Sequence, residues 1–192
     1  MKILITYASR HGGTRGIAER IGTVLAGESI TCEVARVEDD PDPSRADACI
    51  LGSGVYLGSW LNEAIDYGRR HARTLATKPV WMFSSGPLPG STAEKATDPN
   101  DPLAVALGPA TGPGSGGRRK IAELSEAIHP RDHRVFFGAY NPSDPPKSMA
   151  ERFLHLLPVS KDILPAGDFR DWPEIESWAR DIGQRLAGVS VV

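Results

Sequence analysis

The part of this sequence best suited to bind an anion is a run of small and hydrogen-bonding residues, Ser9-Arg10-His11-Gly12-Gly13-Thr14. It lies between an apolar segment and a helical pattern, so it should present the unpaired N–H groups and the positive dipole end of a helix start. Gly12 and Gly13 allow the backbone to approach an anion closely. Ser9 and Thr14 add hydroxyl donors, and Arg10 adds a charged one. The run therefore predicts a phosphate-binding loop.

The spacing within this loop separates it from two common nucleotide-binding loops. It lacks the Gly-Lys-Thr/Ser ending of a P-loop, so it offers no lysine for triphosphate chemistry, and it is not Gly-x-Gly-x-x-Gly. A small loop with a hydroxyl group at each end suits a terminal monophosphate. The alternative is a capped helix start that binds no ligand.

Alternating strand and helix signals place this loop at the edge of a sheet. Short apolar runs predict five strands, at 3–5, 30–37, 48–51, 79–83 and 135–138. Periodic apolar residues predict helices that bury Ile17, Ile21, Val24 and Leu25, then Leu61, Ile65, Ala72 and Leu75, then Ile175, Trp178, Ile182 and Leu186. Asp171 is the predicted cap of the last helix. This alternation predicts an α/β fold with a doubly wound, five-stranded parallel sheet in the order 2-1-3-4-5.

The length of 192 residues predicts a single domain over residues 1–192. Within it, seven Gly and six Pro make up 13 of the 32 residues in 86–117, which predicts an insertion loop after the fourth strand. Because that strand ends at the carboxyl edge of the sheet, the insertion is expected beside a ligand site. An insertion without function is the alternative. A helix near 149–157 is expected to pack in the core or to rest on a membrane surface or a lipophilic quinone.

Composition and charge exclude several classes of function. The 22 Lys and Arg residues nearly balance the 24 Asp and Glu residues, giving a net charge of −2 and no general attraction to nucleic acid or anionic lipid. No apolar run approaches the roughly 20 residues needed to cross a bilayer. The amino-terminal segment is predicted as a buried strand and not a signal peptide, so a cytoplasmic location with at most peripheral membrane contact is expected. The five histidines do not argue for a metal site, and no metal is predicted.

The two cysteines are predicted to remain free thiols. Cys32 falls on the second strand and Cys49 on the third, and the order 2-1-3-4-5 places the first strand between them. Two strand spacings of about 4.8 Å exceed the roughly 7 Å limit for a disulfide. Such cysteine usage is typical of a reducing compartment.

The phosphate-binding loop and the strand before it resemble a known signature. The segment Thr6-Tyr7-Ala8-Ser9-Arg10-His11-Gly12-Gly13-Thr14 is similar to that of flavodoxins, in which Thr/Ser-x-Thr-Gly-x-Thr follows a strand. The spacing Ser-x-x-Gly-x-Thr most closely resembles the menaquinone-dependent protoporphyrinogen oxidase branch of that superfamily. The resemblance implies a flavodoxin-like three-layer sandwich whose first loop holds the phosphate of FMN. His11 stands where flavodoxins usually carry Thr or Ser.

The same resemblance assigns two further segments to the flavin ring. The segment from Gly52 to Trp60 corresponds to the flavodoxin loop Gly-x-Ser-x-Trp-Gly, which implies that Tyr56 covers the isoalloxazine ring and Gly58 lies near its N5. Trp60 itself is expected in the core. A third segment follows the fourth strand. The implied cofactor contacts are Ser9, Arg10, His11, Gly12, Gly13, Thr14, Ser53, Gly54, Val55, Tyr56, Leu57, Gly58, Ser84, Ser85 and Gly86.

The function implied by the resemblance is that of an FMN-dependent oxidoreductase. It would move electrons between an organic substrate, such as a porphyrinogen, and a quinone or another acceptor. Two alternatives are a non-enzymatic carrier that serves a redox partner protein and a regulatory domain that has lost the flavin. Basic clusters at 69–73 and 118–120 could dock an acidic redox partner or a propionate-bearing substrate such as a porphyrin, although a solvated helix face is the simpler explanation. No residue stands out as an acid or base, and the oligomeric state stays open.

Overall fold

A computed structural model of the chain describes residues 1–56, 59–86, 115–140 and 167–189. Its strands are β1 (Lys2–Ala8), β2 (Thr31–Arg36), β3 (Ala48–Tyr56), β4 (Ser59–Trp60), β5 (Val80–Ser85), β6 (Asp132–Phe136), β7 (Ala139–Tyr140) and β8 (Gly167–Asp168). Its helices are α1 (Gly13–Gly27), α2 (Asn62–Arg70), α3 (Ala72–Leu75), α4 (Ser115–Ile128) and α5 (Trp172–Val189). Short 3₁₀ turns cover Val37–Asp39 and Pro43–Arg45.

Five parallel strands form the central sheet in the order β2-β1-β3-β5-β6, which confirms the predicted doubly wound topology. On β1, Ile3 pairs with Cys32 of β2 on one side and with Ala48 of β3 on the other. The short β4 runs antiparallel to β3, with Ser59 opposite Tyr56. Because the five strands run in the same direction, the segments that follow them meet at one edge of the sheet.

Alternate residues along the strands face two separate hydrophobic clusters. On β1, Ile3 and Ile5 pack against α1 and α5, whereas Leu4 faces α2, α3 and α4. The α1 and α5 side buries Ile17, Ala18, Ile21, Leu25, Ile175, Trp178, Ala179, Ile182 and Leu186. The opposite side buries Ala64, Ile65, Tyr67, Leu75, Ile121, Leu124 and Ile128. Helices therefore cover both faces of the sheet, as the three-layer prediction requires.

Several strand boundaries differ from the sequence prediction, including that of β1, which is predicted at 3–5 and continues to Ala8. The apolar run predicts that β3 ends at Leu51, but the strand continues to Tyr56, because residues 52–54 pair with β5. β5 likewise continues through two serines to Ser85, opposite Phe136 of β6. β6 covers 132–136 and not 135–138. Its polar first residues gave no apolar signal, since an edge strand leaves them partly exposed.

The helices depart from the sequence prediction in two places. The periodic segment from 61 to 75 forms two helices, α2 and α3, with His71 between them. The last three residues of the predicted insertion at 86–117 are helical, because α4 already begins at Ser115. Residues 87–114 and the predicted helix at 149–157 lie outside the described residues. The predicted cap of the last helix is confirmed, since the Glu174 N–H donates to Asp171 Oδ1 at 3.0 Å.

Gly52 belongs to the core of the sheet and not to a loop. A Cβ atom at this position would overlap the ring of Phe83, which is fully buried on the neighbouring strand. We expect Gly52→Ala to lower the free energy of unfolding by about 2 kcal/mol, because the packed ring has no room to move. Urea titration would measure the loss. Gly27→Ala is the matched control, since no described atom outside its chain neighbours and the backbone of its own helix lies within 4 Å of its Cβ position. An equal loss in both variants would contradict this account.

Both cysteines are free thiols, as predicted. Cys32 lies opposite Ile3 on one side of β1, and Cys49 lies opposite Leu4 on the other. Burial raises the pKa of each thiol to about 11. Both side chains are therefore protonated at neutral pH.

Candidate functional site

The three predicted segments lie next to one another at the carboxyl edge of the sheet. Tyr7 and Ala8, at the end of β1, pair with Gly52 and Ser53 of β3. Gly54 of β3 pairs in turn with Ser85 of β5. The segment at 9–14 therefore opens beside the end of β3, and the end of β5 lies on the other side of β3. The topology thus brings the sequence-predicted residues together within the described part of the chain.

The predicted phosphate loop forms a turn that leads directly into α1. Ser9 Oγ accepts a hydrogen bond from the Gly12 N–H at 3.1 Å and closes the turn. Gly12 has a φ of +81°, in the left-handed region that favours glycine, and the Gly16 N–H donates to its carbonyl at 3.0 Å. Within the described residues, no side chain caps this helix start, and its first turn contains no acidic residue. The positive end of α1 is therefore open to an anion.

The space around this turn suits a phosphate group. Apart from Gly12 and its two chain neighbours, no atom of the described residues lies within 4 Å of the Cβ position of Gly12, so the cradle is open there. Thr14 is only 3% exposed, and its Oγ1 lies 3.1 Å from the Cβ position of Gly54 on β3. Backbone amides and hydroxyl groups are the donors that a phosphate prefers. The turn offers the amides at the start of α1, the Thr14 hydroxyl and the Ser9 hydroxyl that closes it. The residues present therefore fit a bound monophosphate.

Tyr56 lies beside this cradle at the end of β3. The guanidinium carbon of Arg10 is 4.9 Å from the centre of its ring, within the range of a cation–π contact. The His11 ring lies 6.4 Å away and is tilted by 47°. Gly54 makes room for the tyrosine, since a Cβ atom there would lie 2.8 Å from Tyr56 Cε2. Tyr56 thus offers a partly exposed aromatic surface next to the phosphate loop. Its neighbours Leu57 and Gly58 lie outside the described residues.

The Ser53 side chain connects β3 to the residue that precedes α2. Its hydroxyl donates to the Gly54 carbonyl at 3.0 Å and accepts from the Leu61 N–H at 3.1 Å. The side chain is fully buried. Any contact of Ser53 with a cofactor would therefore come from its main chain.

Gly86 and Val55 lie close together at the carboxyl edge of the sheet, where β5 and β3 end. Gly86 has a φ of +105°, and its N–H donates to the Phe136 carbonyl at 2.9 Å. The Val55 carbonyl lies 3.5 Å from its Cβ position. Gly138 packs against the same glycine, since its Cβ position is 3.4 Å from the Gly86 nitrogen and from Ser85 Oγ. These close backbone contacts hold the ends of β3, β5 and β6 together.

Ser84 connects three strands through a buried hydrogen-bond chain that the sequence did not predict. Its hydroxyl accepts from the Trp60 indole N–H at 2.8 Å and lies 2.9 Å from His133 Nε2. Burial lowers the pKa of His133 to about 4, against the opposing influence of Asp132. The histidine is therefore neutral at pH 7, and its Nε2 shares a hydrogen bond with the Ser84 hydroxyl. Trp60 is 3% exposed, which confirms the core position expected for it.

Loss of the Ser84 hydroxyl should destabilise the protein. Ser84→Ala would leave the Trp60 N–H and His133 Nε2 without their partner, so we expect unfolding to become easier by about 1–2 kcal/mol. Thermal unfolding of the apo-protein would measure this. Ser85→Ala is the matched control, because no hydrogen bond joins the Ser85 side chain to another part of the described chain. A Ser84→Ala variant as stable as Ser85→Ala would show that the chain contributes nothing.

Other kinds of site find no support in the described residues. They contain no group of three or more histidine, cysteine or acidic side chains placed to hold a metal ion. Their helices also lack any segment with the length and apolar character to span a bilayer. The basic residues Arg69 and Arg70 instead form ion pairs with Glu123 and Asp40.

Comparison with known sequences adds a family match to this geometry. A sequence model described as a flavodoxin domain matches residues 4–141. The protoporphyrinogen IX dehydrogenase [quinone] of Escherichia coli K12 is 28% identical over 86 residues, which cover 44% of this chain and 48% of that relative. The match therefore spans about half the length of the curated relative.

Comparison with solved structures shows the fold. Flavodoxin 2 from Bacillus cereus matches with a TM-score of 0.56 and 20% identity, covering 96% of this chain and 99% of that one. A cysteine-to-serine mutant of flavodoxin from Pseudomonas aeruginosa matches with a TM-score of 0.55 and 12% identity, covering 96% and 97%. At such low identity, similarity in fold does not establish function, which has to be argued from the residues of the site.

Proposed function

The chain belongs to the flavodoxin domain family and binds FMN, and we propose that it uses this cofactor to move electrons between an organic substrate and a quinone or another acceptor. The observation that carries the proposal is the open, uncapped start of α1, with Gly12 in the left-handed region and Thr14 beside Gly54. When bound, FMN supplies the electron-accepting and electron-donating chemistry. The protein binds the cofactor, orients it and controls its surroundings.

The phosphate end of the cofactor would be held by the first loop. The backbone amides at the start of α1 and the Thr14 hydroxyl would donate to the phosphate, and Arg10 would add a positive charge beside it. Ser9 keeps the turn closed through its bond with Gly12. The residues assigned to this task are Ser9, Arg10, His11, Gly12, Gly13 and Thr14.

The ring end of the cofactor would lie along the ends of β3 and β5. Tyr56 would cover one face, since a flat aromatic ring is a favourable partner for another. Arg10, which already lies over Tyr56, would share this surface. The residues assigned to the ring are Ser53, Gly54, Val55, Tyr56, Leu57, Gly58, Ser84, Ser85 and Gly86. Of these, Ser84 would act through the position of β5, because its hydroxyl is engaged with Trp60 and His133.

The finer proposal concerns the donor and the acceptor. The name of the E. coli relative, a protoporphyrinogen IX dehydrogenase [quinone], supports a porphyrinogen as donor and a quinone as acceptor. The second candidate is a carrier that exchanges electrons with a partner protein, and the match of residues 4–141 to a flavodoxin domain is compatible with it. No described side chain stands out as an acid or base for either reaction, and we assign no catalytic residue.

Cofactor titration followed by turnover tests these proposals in order. Apo-protein should bind FMN and become yellow, and an apo-protein that ignores added FMN would refute the site. The loaded protein should then oxidise protoporphyrinogen with menadione as acceptor. Reduction by a reductase protein, without porphyrinogen turnover, would reject the enzyme and support the carrier.

A further inference from the structure

Arg170 reaches the phosphate loop from the far end of the chain. It follows β8, and its Nη1 donates to the Gly13 carbonyl at 3.3 Å, across 157 positions of sequence. Gly16 makes this approach possible, because a Cβ atom there would collide with the Arg170 guanidinium. Arg170 lies beyond residues 4–141, which the flavodoxin domain matches. The contact therefore adds something to the cradle that the matched part of the chain does not contain.

The guanidinium group is held in one orientation. Its Nε and Nη2 donate to Asp168 Oδ1 and Oδ2 at 2.7 and 2.6 Å, a bidentate pair. The Trp172 ring covers the guanidinium, with its centre 4.4 Å from the guanidinium carbon. The bond from Arg170 holds the pKa of Asp168 below its usual range, so the carboxylate is charged at neutral pH. Only 17% of the arginine side chain is exposed. Because Nε and Nη2 are bonded to Asp168, Nη1 is the nitrogen that contacts the Gly13 carbonyl.

The strand pair β7–β8 fastens this arginine to the same loop. Ala139 pairs with Asp168, and the Ala139 nitrogen lies 3.4 Å from the Cβ position of Gly13. The Phe169 N–H also donates to the Gly138 carbonyl at 3.1 Å. Arg170 is thus carried by a ribbon that already contacts the phosphate loop at a second point.

The Gly13 carbonyl and the Thr14 N–H belong to one planar peptide and point in opposite directions. A charged donor on the carbonyl fixes the tilt of this peptide and strengthens the polarity of its N–H, which is one of the groups without an intrahelical partner at the start of α1. Because Asp168 neutralises the arginine, the effect depends on position and not on net charge. A lysine would keep the charge and lose the fork that holds it.

We propose that Arg170 is a positioning residue for the FMN phosphate, acting through the Gly13–Thr14 peptide and favouring FMN over its unphosphorylated form, riboflavin. The inference rests on the proposed function of the first loop. It assigns no direct contact between Arg170 and the cofactor.

Parallel titration of apo-protein with FMN and with riboflavin tests this inference. Arg170→Met should raise the Kd for FMN about tenfold, as expected for a lost hydrogen bond from a charged donor, and leave the Kd for riboflavin within about twofold. Arg170→Lys should weaken FMN binding to a similar extent. Arg185→Met removes a guanidinium from an exposed pair with Asp181 on α5 and should change neither constant. Equal weakening of both ligands, or of neither, would overturn the proposal.

A second readout separates this inference from the proposed function. In the apo-protein, the backbone amide NMR signal of Thr14 should shift in Arg170→Met and stay in place in Arg185→Met, because the peptide loses its charged partner. An unshifted signal would overturn the role of Arg170 even if FMN binds. If the signal shifts in Arg170→Met but the wild-type protein binds no FMN, the phosphate site is refuted and, with it, the assignment of Arg170 to that phosphate.

Discussion

Gly12→Glu is expected to raise the Kd for FMN at least about 100-fold. A side chain at a φ of +81° costs about 1–2 kcal/mol. A carboxylate within a few ångströms of the phosphate adds repulsion of about 2–4 kcal/mol, and about 1.4 kcal/mol corresponds to each factor of ten. The glutamate has room, since no described atom outside Gly12 and its two chain neighbours lies within 4 Å of this Cβ position. The loss would therefore arise from charge and backbone conformation, and fluorescence quenching of added FMN would measure it.

Gly12→Asn separates the two causes. Asparagine tolerates the left-handed region better than most residues and carries no charge, so its loss of affinity should stay within about tenfold. Higher salt should recover part of the affinity of Gly12→Glu but none of that of Gly12→Asn, because exposed charges are screened. Equal losses in both variants would show that charge at this position is irrelevant, and the phosphate would have to lie elsewhere.

Tyr56→Ala is expected to weaken FMN binding by about 10- to 100-fold. Stacking of a flat heterocycle on an aromatic side chain is worth about 1–3 kcal/mol when the side chain is cut back to alanine. The substitution also removes the surface on which Arg10 lies, at 4.9 Å. The apo-protein should remain folded, since Tyr56 is partly exposed at the end of β3. Titration would give the affinity, and visible circular dichroism would report the loss of the aromatic neighbour.

Tyr56→Phe is the matched control for this result. It keeps the ring and removes only the hydroxyl, so affinity should stay within about threefold of the wild type. An alanine variant that binds FMN as well as the phenylalanine variant would mean that another residue covers the ring. Such a result would leave the phosphate loop unaffected and would redirect attention to the end of β5.

The sequence predicts the parts of this fold that short-range chemistry determines. The apolar run of β1, the glycines of the loop and the periodic face of α1 are neighbours in sequence, so their joint meaning is visible without a structure. The same holds for Asp171, whose cap lies three residues from its partner. The sheet order followed from the alternation of strands and helices.

The sequence could not predict features that depend on contacts between distant residues. From the sequence, Gly52 resembles a loop residue. In the structure, the Phe83 ring occupies the space that a side chain at this position would need. The bonds of Ser84 reach 24 and 49 positions along the chain, to Trp60 and His133, and no spacing pattern indicates them. β6 begins with polar residues because it is an edge strand, so its start carried no apolar run.

The contact between Gly13 and Arg170 also sets an order of events during synthesis. The first turn of α1 leaves the ribosome 157 residues ahead of the arginine that completes it. At roughly 5–20 residues per second, this is a delay of about 8–30 s. A nascent chain would therefore carry its cofactor loop for most of translation without the final support. Tight binding of the cofactor would then begin only after the carboxyl-terminal helix has docked.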